Sequence, residues 1–399
     1  MYASVRFQVW LLLLLVISSS LITSPRAFAP PHSKQQRRSS SSPPLSVSSN
    51  QVLSLFAAVD SNMSPAASSS AAPAAKTIDC STLTLLEHVN LNVPHQAEVL
   101  PFYWNILGCG MDPRKAANLA PDAPKKTLWA NCGASQFHLP YGVTAQRIPG
   151  TIGLRYDSLE KLKARLLDTS KSGASETSHR YEIAVDRNGQ EVIHLTDCHG
   201  NVFHCRAGGS RVDATLRQPI ISPTETDEWG DVAAQYGRDE SDCRGIDYVE
   251  FQCPVGTAAK IALFYESIFD ATASVVQDGD TDIAIVAFGN VDETGKADQS
   301  LLFRETEEVL PPYDGHHIAM YVGKSQADYE QAFKNAATAG VVWVNPRFSD
   351  KADTLQAARE CKQFRCKDIV DMETGEKIFE LEHEMRSIEH EAWPGERHQ

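Results

Sequence analysis

Several histidines fall on short stretches in which polar and apolar residues alternate, the pattern of half-buried β-strands. Between His88 and Val93 the polar residues occupy every second position. Because the side chains of a strand point alternately to the two faces of its sheet, His88 is predicted on a polar face and Val89 in the core. The same alternation places His138 with Gln136 on the polar face of another strand. Neutral imidazoles on such faces can bind divalent metal ions or act as acid–base groups.

The strands that carry these residues belong to an internal repeat. Four segments each begin with an alternating strand, continue with a stretch of helical periodicity, and run through short strands into an apolar closing strand. The opening strands are His88–Val93, Thr151–Tyr156, Tyr248–Cys253 and His317–Val322. The helical stretches are Glu98–Leu107, Leu159–Leu167, Ala258–Phe269 and Gln326–Ala337. The closing strands are Gln136–Leu139, Asn201–His204, Leu301–Arg304 and Lys377–Leu381. The sequence therefore predicts an α+β protein of four βαβββ modules.

The modules are predicted to pair in the order in which they occur. Little sequence separates the first module from the second, or the third from the fourth, whereas residues 208–243 lie between the second and third. That stretch is polar, contains glycine and proline and has no sustained period, which is typical of a linker. The predicted domains are residues 80–207 and 244–387, followed by a polar tail over residues 388–399.

Specific motifs make the paired modules resemble the vicinal oxygen chelate superfamily of glyoxalases, bleomycin resistance proteins and extradiol dioxygenases. The motifs are Glu87–Val93, Phe102-Tyr103, Leu107-Gly108, Gly133–Pro140 and Asp197–His204. Most of residues 84–206 fits the pattern, and residues 246–384 fit it more loosely. The resemblance implies two vicinal oxygen chelate domains, in each of which two modules close their sheets into a cup that holds a metal.

The resemblance also implies metal ligands on the opening and closing strands of each module. In the first domain these positions carry His88, His138, Thr151 and His204. The three histidines are the predicted ligands, because three neutral imidazoles with open coordination positions suit Zn²⁺ or Fe²⁺. The usual ligand set of the superfamily includes a glutamate, and none of these four positions has one. A cup that binds its ligand without a metal is the alternative.

Two further residues on the polar strand faces are predicted to act on the substrate. His194 is the candidate general base, and Arg155 is a candidate clamp for an anionic group. The resemblance implies a glyoxalase-like lyase or isomerase acting on a small oxygen-rich metabolite through a metal that chelates two neighbouring oxygens. Two alternatives stay open: an extradiol-type dioxygenase, and a non-catalytic protein of the same fold that binds a small molecule or a metal.

The second domain offers a different set at the corresponding positions, namely Tyr248, Arg304, His317 and Glu380. Extradiol dioxygenases place two histidines and one glutamate in their second domain, so His317 and Glu380 match while Tyr248 does not. We expect Arg304 and Glu380 to form an ion pair that occupies this site. Glu382 and His383 are expected at the surface.

The N-terminal segment predicts a sorting route. Residues 1–27 combine one early basic residue with an apolar run that is too short for a membrane span, the pattern of a signal peptide. Residues 28–79 begin with a basic, acid-free stretch rich in serine and proline, which is typical of a transit peptide and linker. Together they resemble the bipartite presequences of algae with secondary plastids, which implies a plastid protein. A secreted protein is the alternative.

The net charge limits the classes of partner, and the cysteine pattern predicts the state of the thiols. Beyond residue 59 the chain carries 32 basic and 51 acidic residues, a formal charge of −19. That balance, without a basic stripe, argues against a nucleic acid or an anionic membrane as the partner of the mature form. It says nothing about the small-molecule substrate that the resemblance implies. The nine cysteines include no Cys-x-x-Cys pair, so they are predicted to be reduced or buried thiols rather than a disulfide framework.

Overall fold

The computed structural model describes most of the chain beyond its N-terminal segment. The described residues are 78–79, 81–119, 126–168, 179–186, 189–225, 231 and 233–395. The predicted signal peptide, and the predicted transit peptide and linker as far as residue 77, lie outside them. None of the described helices has the length and apolar composition needed to cross a membrane.

Each of the four predicted modules is present as strands around a helix, which confirms the α+β organisation. Strand β1 (Ile78–Asp79) precedes the modules. The first module contains β2 (Leu83–Asn90), α1 (Gln96–Leu100), β3 (Gly110–Met111), β4 (Leu128–Cys132) and β5 (Ser135–Leu139). The second contains β6 (Gly150–Tyr156), α2 (Glu160–Leu167), β7 (His179–Val185), β8 (Glu191–Asp197) and β9 (Val202–Ala207). The third contains β10 (Cys243–Pro254), α3 (Ala258–Phe269), β11 (Ala273–Asp278), β12 (Thr281–Val291) and β13 (Ala297–Thr306). The fourth contains β14 (His317–Val322), α4 (Gln326–Thr338), α5 (Leu355–Cys361), β15 (Gln363–Val370) and β16 (Lys377–Ser387).

Local sequence accounts for how the module helices begin and continue. Helix α4 begins at a capping box, in which the Ser325 side chain accepts a hydrogen bond from the backbone N–H of Asp328 and the Asp328 carboxylate accepts one from the backbone N–H of Ser325. Helix α1 continues into a π-helical turn over Pro101–Ile106, which buries Phe102 and Trp104 in the core.

The modules pair into two sheets, but not in the order predicted. One sheet has the strand order β15-β16-β14-β2-β5-β4-β3 and joins the first and fourth modules. We call it the outer-module sheet. The inner-module sheet has the order β1-β12-β13-β10-β6-β9-β8-β7, with β11 paired to β12, and joins the second and third modules. The strand pairing therefore does not divide the chain into consecutive domains at residues 80–207 and 244–387.

The physical reason lies in what strand alternation can specify. In both sheets the opening strands of two modules lie side by side and antiparallel, β14 with β2 and β10 with β6. Alternation fixes which face of an opening strand is buried. It does not select the opening strand that lies beside it, because all four strands carry the same pattern. Sequence proximity was therefore a poor guide to pairing.

The segment predicted as a linker packs against the first module over much of its described part. The backbone N–H of Gln218 donates to Gly133, that of Ile221 to Met111, and that of Asp242 to Gly108. Ile221 is also part of the apolar core. Residues 208–225 and 233–243 are therefore attached to the folded unit rather than serving as a free connection.

One pair of cysteines departs from the expected reduced state. Cys132 at the end of β4 and Cys243 at the start of β10 form a disulfide between the two sheets, with their Cα atoms 5.0 Å apart. A sequence separation of 111 residues gave no signal for this pair. The free cysteines among the described residues are Cys109, Cys198, Cys205, Cys253, Cys361 and Cys366.

The predicted assignment of strand faces in the first module is confirmed. Val89 and Leu91 belong to a hydrophobic core shared by both sheets, whereas His88 and Asn90 are buried polar residues on the other face of β2. Truncating Leu91 to alanine should lower the free energy of unfolding by about 2–4 kcal/mol, since a buried side chain is replaced by a cavity. Urea unfolding measures this loss.

The matched control for Leu91→Ala is Val309→Ala. The side chain of Val309 is 98% exposed, so its truncation should change the free energy of unfolding by no more than about 0.5 kcal/mol. Equal effects of the two substitutions would contradict the core assignment.

Candidate metal centre

Three ligand atoms converge on the polar face of the outer-module sheet. His88 lies on β2, His317 on β14 and Glu384 on β16, and one ligand atom of each lies within 4.8 Å of the other two. All three side chains are buried. The strand order explains this convergence, because β14 lies between β2 and β16.

Glu87 orients the first of these ligands. A β-bulge places Glu87 outside the regular register, since His88 and Leu86 face the consecutive residues Ala319 and Met320. The Glu87 carboxylate accepts a hydrogen bond from Nδ1 of His88 at 2.7 Å, while Nε2 of His88 is buried without a hydrogen-bond partner. A histidine that donates to a carboxylate through one nitrogen has its lone pair on the other, the arrangement common in metal-binding histidines.

The second histidine lies against the carboxylate of the third ligand residue. Nδ1 of His317 is buried without a hydrogen-bond partner, and its Nε2 lies 3.6 Å from a carboxylate oxygen of Glu384. Burial lowers the pKa of both His88 and His317 below the ordinary value. Both imidazoles are therefore in the neutral form that can act as a metal ligand.

The Glu384 carboxylate lies between two arginines. Arg365 donates to one of its oxygens and Arg386 to the other, each at 2.5 Å. Burial alone raises the pKa of Glu384, but the two guanidinium groups outweigh burial and hold this pKa well below its ordinary value. Glu384 is consequently ionised at neutral pH.

The arginines bind three further carboxylates in the same cluster. Arg365 donates to Glu382 at 2.8 Å and to Asp350 at 2.6 Å, and Arg386 donates to Glu87 at 2.7 Å. With Glu384, four carboxylates face two guanidinium groups, and neutral histidines add no charge. The formal excess of two negative charges is expensive in a buried site, and a divalent cation would balance it.

The predicted ligand His138 lies beside this centre but does not converge with it. Its ring stacks on His88 with centroids 3.6 Å apart and on Trp129 with centroids 4.4 Å apart. Nε2 of His138 lies 2.9 Å from the side-chain oxygen of Gln136. Lone pairs lie in the ring plane, so two nearly parallel stacked imidazoles do not direct them at one ion.

The third predicted ligand, His204, is on a different sheet. It lies on β9 of the inner-module sheet, where Nδ1 is 2.8 Å from the hydroxyl of Tyr248. Thr151, on β6, belongs to the same sheet. The single cup predicted from His88, His138, Thr151 and His204 is therefore wrong, because the expected pairing of modules was wrong.

The predicted catalytic residues also lie on the inner-module sheet. The His194 ring, on β8, stacks on His204 with centroids 4.4 Å apart. Arg155, on β6, forms an ion pair with Asp247 at 2.8 Å, so its guanidinium already has a carboxylate partner. Neither residue is on the sheet that carries the converging ligands.

In the fourth module, the structure differs from the expected ion pair and brings a different glutamate to the centre. Glu380 pairs with Lys367 at 2.6 Å, whereas Arg304 pairs with Glu250 and Asp278 on the other sheet. The predicted Arg304–Glu380 ion pair is therefore wrong. Strand β16 continues to Ser387, and the glutamate that reaches the centre is four positions beyond Glu380.

The predicted surface positions of Glu382 and His383 are wrong as well. Glu382 is 1% exposed and His383 is fully buried. Alternation along β16 was the signal that could have placed them. Leu381 and Met385 belong to the core, so His383 should face the core as well, and Glu382 should lie on the opposite face with Glu384. His383 faces that core, where its Nε2 lies 2.7 Å from the hydroxyl of Tyr265.

Buried histidines make stability depend on pH. Burial lowers the pKa of His204 and of His383 to about 3. Since their unfolded pKa is about 6.5, the unfolded chain binds more protons, and stability present above pH 6.5 is lost as pH falls toward 3. For the metal-free protein, each such histidine should contribute a loss of about 1.4 kcal/mol per pH unit in that window.

Urea unfolding of metal-free protein between pH 7.5 and pH 5 tests this dependence. The His383→Gln variant should show a shallower loss of unfolding free energy with falling pH than the wild type. An unchanged slope in this variant would show that His383 does not contribute as argued.

Comparison with known proteins finds solved structures that resemble this chain only at low sequence identity. No protein family and no curated protein matches the chain. Glyoxalase I from Zea mays is 13% identical over 76% of this chain and 92% of that chain, with a TM-score of 0.42. The 2,2′,3-trihydroxybiphenyl 1,2-dioxygenase from Sphingomonas wittichii is 13% identical over 76% of this chain and 90% of that chain, with a TM-score of 0.26. These values do not assign an activity, so function is inferred from the residues of this chain.

Proposed function

We propose that this chain is a metal-dependent enzyme of the glyoxalase and dioxygenase type, with its metal bound by His88, His317 and Glu384. The main support is the convergence of three buried ligand atoms within 4.8 Å. The unpartnered Nε2 of His88 and a buried excess of negative charge add to it. Two imidazoles and one carboxylate with open positions suit Zn²⁺ or Fe²⁺.

The chain's own residues prepare this centre for chemistry on a small oxygen-rich substrate. When bound, the metal would supply Lewis-acid polarisation of two neighbouring substrate oxygens. Glu87 holds the His88 tautomer in which Nε2 keeps its lone pair and has no partner within the protein. Arg365 and Arg386 keep Glu384 ionised, so it acts as a ligand rather than as a proton donor.

Glu382 is the proposed general base for a lyase or isomerase reaction. It is directly opposite His317 in the register of β14 and β16, which places its carboxylate beside the ligand. The Asn345 side-chain amide lies 2.9 Å from each of its oxygens and fixes the carboxylate in place. It replaces His194 in this role, because His194 lies on the other sheet. A carboxylate at this position can take a proton from a carbon next to a polarised carbonyl group.

Access to the centre requires movement of the segment that follows α4. The ring of Phe348 lies edge-on to the ring of His317. The guanidinium carbon of Arg365 lies over the Phe348 ring, 4.2 Å from its centroid. Lys351 donates to the backbone oxygen of Asn345. Residues 345–351 therefore cover the centre, and we infer that a substrate enters when this segment opens.

Metal analysis of matched variants tests the proposal. His88→Ala and His317→Ala should each bind one equivalent of divalent metal less than the wild type, because each loses one of three ligands. The control is His204→Ala, which removes a buried histidine from the inner-module sheet and should bind as much metal as the wild type. Full metal binding by His317→Ala would overturn the proposal.

A substrate screen of the metal-loaded wild type then separates the reaction classes. Turnover of 2-oxoaldehyde–thiol adducts would support a lyase or isomerase. Ring cleavage of catechols under oxygen would support a dioxygenase. Saturable ligand binding without turnover would favour a binding protein of the same fold.

A further inference from the structure

We propose a second metal site, for Zn²⁺, formed by Glu98, Cys198 and His199. One carboxylate oxygen, the thiol sulfur and one imidazole nitrogen of these residues lie within 4.8 Å of one another. Glu98 comes from α1, and the other two residues form the turn between β8 and β9. Thiolate, imidazole and carboxylate groups are the side chains that zinc binds in proteins.

The turn that carries two of these ligands is held by its own hydrogen bonds. The Asp197 carboxylate accepts one from the backbone N–H of His199 at 2.9 Å and another from that of Asn201 at 2.8 Å. Gly200 has a φ of +91°, a backbone conformation that favours glycine. Cys198 and His199 are therefore positioned before any metal binds, which reduces the entropy lost on binding.

An independent observation at His199 points to a ligand. Its Nε2 is shielded from solvent and has no hydrogen-bond partner. Shielded polar atoms normally have a partner, so this nitrogen either bears an energetic penalty or binds a species that the protein itself does not supply. A metal ion bound by this imidazole would satisfy it.

The local charge also suits a cation. Besides Glu98, the turn itself carries the carboxylate of Asp197, which lies next to Cys198 in the chain and accepts hydrogen bonds from the backbone N–H groups of His199 and Asn201. A carboxylate favours a bound divalent cation by Coulomb attraction, and Glu98 can contribute a ligand atom directly. The exposed position of Glu98 and the half-buried positions of the other two leave the site open to solvent.

A metal here would link the first module to the second. Glu98 belongs to the first module, which contributes to the outer-module sheet, whereas Cys198 and His199 belong to the second module and the inner-module sheet. Any ligand that binds only the folded chain stabilises it according to its free concentration. We therefore infer that zinc at this site strengthens the attachment of α1 to the β8–β9 turn.

Cobalt titration of the metal-free protein, with its Cys132–Cys243 disulfide intact and Cys198 as a free thiol, tests this site apart from the outer-module centre. Cobalt bound to a thiolate gives a sulfur-to-metal charge-transfer absorption, and no cysteine is among the proposed ligands of the other centre. The wild type should develop this band as up to two equivalents of Co²⁺ are added, one for each proposed centre, and should lose it on addition of Zn²⁺. Cys198→Ser should abolish the band, and His199→Ala should weaken cobalt binding.

Two controls make the result specific. Cys361→Ser removes an exposed free cysteine elsewhere and should leave the band unchanged. His317→Ala should also leave it unchanged, so failure of the proposed catalytic centre and failure of this site are distinguishable. No thiolate band in the wild type, or a band that survives in Cys198→Ser, would overturn the proposal.

Discussion

Glu382→Gln is expected to lower turnover of the metal-loaded enzyme by about 100-fold or more, the usual contribution of a positioned general base. The amide has nearly the size and shape of the carboxylate, so it should fill the same place beside His317. It cannot accept the proton that a lyase or isomerase must remove. Since Glu382 is not among the three proposed ligands, the metal content should equal that of the wild type, and single-turnover kinetics should show the loss in the chemical step.

The matched control is Glu380→Gln, which makes the same change two positions earlier on β16. Glu380 pairs with Lys367 and Lys377 at the partly exposed end of the strand. Its substitution should leave turnover within about two-fold of the wild type, because surface ion pairs contribute about 0–1 kcal/mol. Equal activity of the two variants would remove Glu382 from the mechanism.

Arg365→Met is expected to destabilise the metal-free protein by about 3–5 kcal/mol, the cost of leaving buried charges uncompensated. The Arg365 guanidinium is 3% exposed and binds Glu382, Glu384 and Asp350. Methionine fills a similar volume but carries no charge, so three carboxylates would lose this partner. Urea unfolding in the presence of a chelator measures the loss.

Arg359→Met provides the comparison for this arginine. Arg359 forms an ion pair with Glu330 at 2.5 Å, but its side chain is 45% exposed. Because solvent screens such a pair, its removal should lower the free energy of unfolding by no more than about 1 kcal/mol. If both arginine variants lost stability equally, the cluster around Glu384 would not be the buried network described.

The module organisation could be predicted from sequence because periodicity is a local property. Helix α3 has the predicted bounds Ala258–Phe269, and α4 extends one residue beyond its predicted end. The spacing of apolar residues in each strand or helix indicates which of its faces is buried. Which modules lie side by side is a property of the whole chain, and for that question short connections suggested the wrong answer.

The difference between local periodicity and long-range pairing also explains which site residues were predicted correctly. Alternation placed His88, Gln136 and His138 on one polar face, as the structure has them. It could not show that His317 lies beside that face, because β14 comes from the most distant module. Glu384 was missed for a local reason, since β16 runs six residues past the predicted end at Leu381.

The most direct test of the central claim is the position of the metal in a crystal of the zinc-loaded protein, located by anomalous diffraction at the zinc absorption edge. We predict a peak on the polar face of the outer-module sheet, within coordination distance of His88, His317 and Glu384, in addition to any peak at Cys198. A peak between His138 and His204, or none beside His317 in a fully loaded crystal, would contradict the account.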